Sequence, residues 1–122
     1  MFAGLRTVIY HVSDLEASKL WWAKALGQEP YFDQPFYVGF NVGGYELGLH
    51  PIESEETLGA TTYWGVDDIQ SAFDHLVNEG ELVVHQAIQD VGDGIKVAAL
   101  RDNDGNVIGI IENPHFSLPA AR

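Results

Sequence analysis

Apolar and polar positions along this chain follow two rhythms. Within Leu5–Val12, Val8, Tyr10 and Val12 alternate with Thr7, Ile9 and His11, the period of a strand. The period then lengthens: Leu15, Trp22, Ala25 and Leu26 fall on one helical stripe, with Glu16, Lys19 and Lys24 mainly outside it. Between strand and helix, Ser13-Asp14-Leu15-Glu16 fits a capping box, in which Ser13 accepts from the Glu16 N–H and Glu16 reaches back. Gly27 is placed to end the helix in a left-handed conformation. The unit then returns. Thr61–Val66 reads as a strand, Asp67 or Asp68 as a cap, and Ile69, Ala72, Phe73, Leu76 and Val77 as a helical stripe closed by Gly80. An offset of about half the chain predicts an internal duplication rather than a solenoid.

Strand-like segments follow each helix. In the first half they are Glu29–Phe32, Phe36–Val42 and Tyr45–His50; in the second, Leu82–Ile88, Ile95–Arg101 and Asn106–Glu112. Val42-Gly43-Gly44-Tyr45 predicts a two-residue hairpin, since paired glycines suit the positive φ of a type I′ turn. Asp102-Asn103-Asp104-Gly105 supplies a turn later in the chain. Asn113–Arg122 is expected to be an irregular tail. The element order is strand, helix, three strands, twice over. This predicts an α+β fold of two βαβββ modules, approximately 1–55 and 56–115, within one domain of 1–122.

The hairpin assigns faces. If Val42 opposes Tyr45, then Phe40 opposes Leu47 and Val38 opposes Leu49, an apolar face to bury against the helix. The other face carries Tyr37, Gly39, Asn41, Glu46, Gly48 and His50, polar with small residues interspersed. Such a face is either solvated or the lining of a cavity. Thr7, Ile9 and His11 look toward the same space if Val8 and Tyr10 pack on the helix.

Composition narrows the function classes. Hydrophobic residues at 46% and charged residues at 20% indicate a globular domain rather than disorder. Six basic against eighteen acidic residues leave a net charge of −12. That charge disfavours nucleic acid and anionic membrane and favours a cationic ligand, or serves only solubility. With no cysteine, disulfides, iron–sulfur clusters, thiol catalysis and thiolate zinc sites are excluded. The N-terminus lacks the long apolar run of a signal peptide, and no stretch approaches the roughly 20 apolar residues that span a membrane. A cytoplasmic location is the expectation.

Several segments together resemble the vicinal-oxygen-chelate superfamily of glyoxalase I, bleomycin-resistance proteins and extradiol dioxygenases. They are Val12-Ser13-Asp14-Leu15-Glu16-Ala17-Ser18 with Leu26-Gly27, Tyr45-Glu46-Leu47-Gly48, Gly65-Val66-Asp67-Asp68, and Arg101-Asp102-Asn103-Asp104-Gly105-Asn106. The resemblance covers nearly the whole chain and implies the glyoxalase/bleomycin resistance/dihydroxybiphenyl dioxygenase-like fold. It also implies a homodimer, with clefts that two subunits can share, and a divalent metal held by His or Glu at four equivalent strand positions. Those positions fall here on Thr7, Glu46, Thr61 and Gly109. Glu46 alone among them is a competent ligand, so the standard metal site is expected to be missing.

Two functional readings follow. The first is a metal-independent small-molecule-binding protein like the bleomycin-resistance branch, without a cofactor. Thr7, His11, Tyr37, Asn41, Glu46, His50, Thr61 and Tyr63 would line its ligand site. Glu46 and Asn41 would supply polar contacts, and Tyr37 and Tyr63 stacking on a cationic or aromatic ligand. The second is a lyase, isomerase or dioxygenase with a divalent metal such as Zn, Ni, Fe or Mn at a shifted site of His11, Glu46 and His50, with His85 a remote fourth candidate. Against it, Glu46 and His50 on one straight strand lie about 13 Å apart. Glu46 as a buried base and His11 as base or acid are the candidate catalytic groups. Trp21 and Trp22 cannot both face one core, so one is expected inside and the other at an interface or pocket edge. Tyr31, Phe32, Phe36 and Tyr37 form an aromatic segment suited to stacking or to sheet packing, and Glu53, Glu55 and Glu56 form a solvated acidic run.

Overall fold

A computed structural model describes residues 1–53, 60–101 and 106–118. The described residues form eight strands and two helices: β1 (Phe2–Val12), α1 (Leu15–Leu26), β2 (Phe32–Gln34), β3 (Tyr37–Val42), β4 (Tyr45–Pro51), β5 (Ala60–Val66), α2 (Ile69–Asn78), β6 (Val83–Gly92), β7 (Ile95–Arg101) and β8 (Val107–Glu112). The strand–helix–three-strand order repeats, as the two rhythms predict. The chain divides into two compact units. One is Thr7–Ala60 with Leu118; the other is Met1–Arg6 with Thr61–Ser117. The division falls at Ala60/Thr61, and β1 contributes to both units.

In the first unit the strands lie in the order β2-β3-β4-β1. β3 and β4 are antiparallel, with Val38↔Leu49, Phe40↔Leu47 and Val42↔Tyr45 in register, as the pleat requires. Gly43 and Gly44 turn the hairpin with φ of 63° and 95°, and Asn41 Oδ1 accepts from Gly44 N at 2.9 Å. Val38, Phe40 and Leu49 are fully buried, with Val12, Leu15, Trp22, Ala23, Leu26 and Leu47 against them. Tyr10 stacks on Trp22 at 6.0 Å, so the even positions of β1 here face the helix. The partly buried stripe of α1 runs through Ala23 rather than Ala25, which is exposed. Trp22 packs inside and Trp21 stays 63% exposed.

The cap of α1 also differs from expectation. Asp14, not Ser13, is the N-cap; it has extended φ and ψ, and its carboxylate accepts from Ala17 N. The helix starts one residue later, so Glu16 no longer stands three residues after its cap, and instead pairs with Lys19 at 3.0 Å. Gly27 closes α1 in the left-handed region, donating to Ala23 O. β2 begins at Phe32 rather than Glu29, and Lys19 holds it through Asp33 at 3.1 Å.

In the second unit the order is β5-β8-β7-β6. Ala98, Leu100 and Ile110 are fully buried beneath Ile69, Ala72 and Leu76 of α2, with Phe73 and Val77 alongside, as the stripe predicts. Asp68 is the cap, its carboxylate accepting from both the N–H and the hydroxyl of Ser71. These bonds hold Asp68 below the usual carboxylate range. Gly80 is not the residue that caps α2. Glu79 is the C-cap and the positive φ falls on Glu81. Glycine suits position 80 for another reason: a Cβ there would lie 2.8 Å from the Leu76 carbonyl oxygen. β6 extends to Gly92, longer than expected, with register irregularities opposite β7. The turn expected at 102–105 lies outside the described residues, as do Glu55 and Glu56. Asn113–Leu118 is irregular, as expected.

Two outcomes follow for stability. Leu100→Ala empties a fully buried site and should cost roughly 2–5 kcal/mol in urea denaturation. Asp68 is more acidic folded than unfolded, so its contribution is present above the unfolded pKa and lost as pH falls through the lower folded value. Asp68→Asn keeps a capping side chain but removes the charge. It should flatten the acid limb of the stability profile below about pH 4, measured as Tm against pH.

Candidate functional site

The polar face of the first unit is built by register. Parallel pairing of β1 with β4 sets Thr7 beside Glu46, Ile9 beside Gly48 and His11 beside His50. Antiparallel pairing adds Asn41 opposite Glu46 and Gly39 opposite Gly48. Because strand side chains alternate, Thr7, Ile9, His11, Glu46, Gly48 and His50 share the face opposite the α1 core.

Glu46 is the focus of this face. Tyr31 Oη donates to Glu46 Oε1, and Tyr37 Oη donates to Glu46 Oε2. Each carboxylate oxygen thus has its own phenol. The glycines make room for the rings. A Cβ at Gly39 would lie 3.1 Å from the Tyr31 ring, and one at Gly48 would lie 2.7 Å from Tyr37 Cζ. The small residues between polar ones are seats for two tyrosines. Desolvation of its hydroxyl end, then the bond to Glu46 and that carboxylate's charge, push Tyr31 well above the ordinary tyrosine pKa. Thr7, beside Glu46, is buried.

At the other end of the face, His11 and His50 approach edge to face with ring centroids 5.4 Å apart. His50 Nδ1 lies 2.8 Å from Pro51 O. The two ends are four residues, about 13 Å, apart along the strand. The structure therefore groups Thr7, Tyr37 and Glu46 at one end and His11 and His50 at the other. Asn41 stands opposite Glu46 in register, but its side chain holds the hairpin turn. Tyr31 is the residue that the sequence reading left out of the site. It was legible only as part of an aromatic run, and the glycine at position 39 was the signal that a ring lies over it.

The second unit places Thr61 and Tyr63 two residues apart on β5. The register partner of Gly109 is Tyr63, and a Cβ at Gly109 would lie 2.5 Å from that ring. Burial raises the Tyr63 pKa. His85 is engaged elsewhere in this unit, accepting from Arg101 Nε at 3.0 Å.

The four positions at which the resemblance implies a metal do not fit one. Thr7 and Thr61 offer neutral hydroxyls, Gly109 offers nothing, and both Glu46 oxygens already accept phenolic protons. Among the described residues no group of three or more His, Asp or Glu is arranged to hold a metal ion. Two open grooves lie elsewhere: one of about 350 Å³ along Leu15, Glu16, Asp33, Gln34, Pro35 and Val38, and one of about 320 Å³ along α2 beside Asp68 and His75. Neither touches Glu46, and neither gathers convergent polar groups comparable to the two tyrosines.

A family model described as Glyoxalase/Bleomycin resistance protein/Dioxygenase superfamily matches residues 4–110. The chain belongs to this superfamily. Solved structures share the fold of this superfamily member. A member from Vibrio splendidus 12B01 is 18% identical, with 89% of this chain and 99% of that one covered at a TM-score of 0.71. Methylmalonyl-CoA epimerase from Mycobacterium tuberculosis is 16% identical, covering 91% and 88% at 0.73. A methylmalonyl-CoA epimerase in complex with methylmalonyl-CoA and NH4+ is 14% identical, covering 98% and 100% at 0.69. Comparison with curated proteins gave no match. No helix among the described residues is long and apolar enough to cross a membrane.

The tyrosine seats give two expected outcomes. Gly48→Ala pushes the Tyr37 ring off its strand and should cost about 1–3 kcal/mol in chemical denaturation. In an alkaline titration followed by tyrosinate absorbance, Tyr31 and Tyr63 should ionise above the ordinary tyrosine range, and Tyr31→Phe should remove one tyrosine's share of that late component.

Proposed function

We propose that this superfamily member is a metal-independent small-molecule-binding protein of the bleomycin-resistance kind, sequestering a cationic, aromatic-containing ligand. The observation that carries this reading is Glu46 held between Tyr31 and Tyr37. The one competent residue at the family's metal positions is engaged by phenols and presented as a fixed negative charge. An acceptor flanked by two aromatic rings suits a flat cation, which gains charge and stacking together. The net charge of −12 favours the approach of such a ligand. Thr7 and Tyr37 complete the Glu46 end. His11, His50 and Asn41 extend the ligand surface within the first unit. That an epimerase of this fold was solved with methylmalonyl-CoA supports an organic ligand. The reading includes a cytoplasmic homodimer, checked by light scattering of the purified protein.

The alternative is a divalent-metal lyase, isomerase or dioxygenase using His11, Glu46 and His50. The closeness of the two histidines favours it, and the roughly 13 Å between them and Glu46 along the strand opposes it.

One experiment separates the readings. Tryptophan fluorescence is titrated with ethidium, a flat aromatic cation, and with anilinonaphthalene sulfonate, a flat anion, with and without EDTA. We expect saturable quenching by ethidium that EDTA leaves unchanged and that Glu46→Gln weakens at least tenfold, the effect of losing a charged hydrogen-bond acceptor. Equal binding of the anion, or binding abolished by EDTA, overturns the proposal.

A further inference from the structure

The imidazole end of the polar face has a chemistry of its own. His11 and His50 come from neighbouring parallel strands and are paired in register, so backbone hydrogen bonding fixes their mutual position. The Pro51 carbonyl can only accept, so His50 Nδ1 carries the proton of the 2.8 Å contact. That tautomer turns the lone pair of Nε2 away from the backbone. A ring N–H held by a carbonyl, with the opposite nitrogen basic, is the arrangement in which histidines bind metals.

The spacing also fits. A cation bonded to one nitrogen of each ring at about 2.0–2.1 Å lies roughly 3 Å from each ring centre. The rings now meet edge to face with centroids 5.4 Å apart, and a turn of His11 about its side-chain bonds, exchanging its present contacts, would bring one nitrogen of each ring to a common ion at about 120°, near the tetrahedral angle that zinc accepts. The surrounding charge of −12 raises the local concentration of any cation. Imidazole without thiolate selects the zinc, nickel and copper group over magnesium or calcium.

We propose that His11 and His50 form a two-imidazole site for a borderline divalent cation of the zinc–nickel–copper group, distinct from the Glu46 end and completed by water. The positions that the family uses for its metal are not involved, and the proposal does not rest on the ligand-binding reading above.

Copper and zinc are the probes. The full-length protein, stripped with chelator, is titrated with Zn²⁺ by calorimetry, and its Cu²⁺ complex is recorded by electron paramagnetic resonance. The expected result is one tight site per chain, with hyperfine splitting from two nitrogens. Single His11→Ala and His50→Ala variants should each weaken it at least tenfold and reduce the nitrogen count to one. Glu46→Gln should change metal affinity by less than about twofold, which keeps this test separate from the ethidium experiment. His75→Ala controls for exposed histidine, and circular dichroism confirms that each variant is folded. Metal binding that survives the double His11→Ala/His50→Ala variant, or that is lost in Glu46→Gln, overturns the proposal.

Discussion

The polar face depends on one carboxylate receiving two phenols. Glu46 sits on β4, Tyr37 on the neighbouring β3, and Tyr31 just before β2, so three consecutive chain segments converge on one group. Charge-assisted hydrogen bonds of this kind are roughly twice as strong as neutral ones. They also dictate what surrounds them. A ring must cross the strand to reach Glu46, so positions 39 and 48 have no side chain to obstruct it. The same alternation that sends Tyr37, Gly39, Glu46 and Gly48 to this face sends Val38, Phe40 and Leu49 into the core beneath α1. Core and site are two sides of one register, and a one-residue slip would destroy both.

The second unit uses a related device with a different result. Tyr63 lies against Gly109, again a ring over a glycine. There is no carboxylate at position 109 for it to meet, and burial alone raises its pKa. At the positions where the resemblance implies metal ligands, one unit has a carboxylate engaged by phenols and the other a glycine with a half-buried ring against it. In both units a tyrosine ring lies over a glycine of the sheet.

Much of the fold was legible in the sequence because it rests on period and on glycine. The β3–β4 hairpin was readable from Gly43-Gly44 and from the alternation on either side, and β7 from its apolar run. The α2 stripe was readable because its core face carries large side chains. The errors came where two neighbours offer the same chemistry. Ser13 and Asp14 are both good caps, and a one-residue choice decides whether Glu16 closes a box or pairs with Lys19. Ala23 and Ala25 are the same residue, so side-chain identity cannot choose between them. The site was half legible. The family's ligand positions and their departures can be read from residue identities. The reach of Tyr31 cannot, because it depends on where β2 begins, and three-residue strands carry too little periodicity to set their own boundaries.

The paired phenols also bear on which cations the Glu46 end would accept under the proposed reading. An ionised carboxylate has about four lone-pair directions, and two donors leave about two unused. An ammonium, amidinium or guanidinium needs only hydrogen bonds, so it can share Glu46 with Tyr31 and Tyr37 while stacking on their rings. A metal ion needs inner-shell oxygen atoms and several of them, and Thr7 beside Glu46 supplies only a hydroxyl. To bind there it would have to break at least one phenol–carboxylate bond. Under that reading the same two tyrosines that fix the carboxylate would also discriminate, admitting an organic cation at little cost and opposing a metal at the position of Glu46.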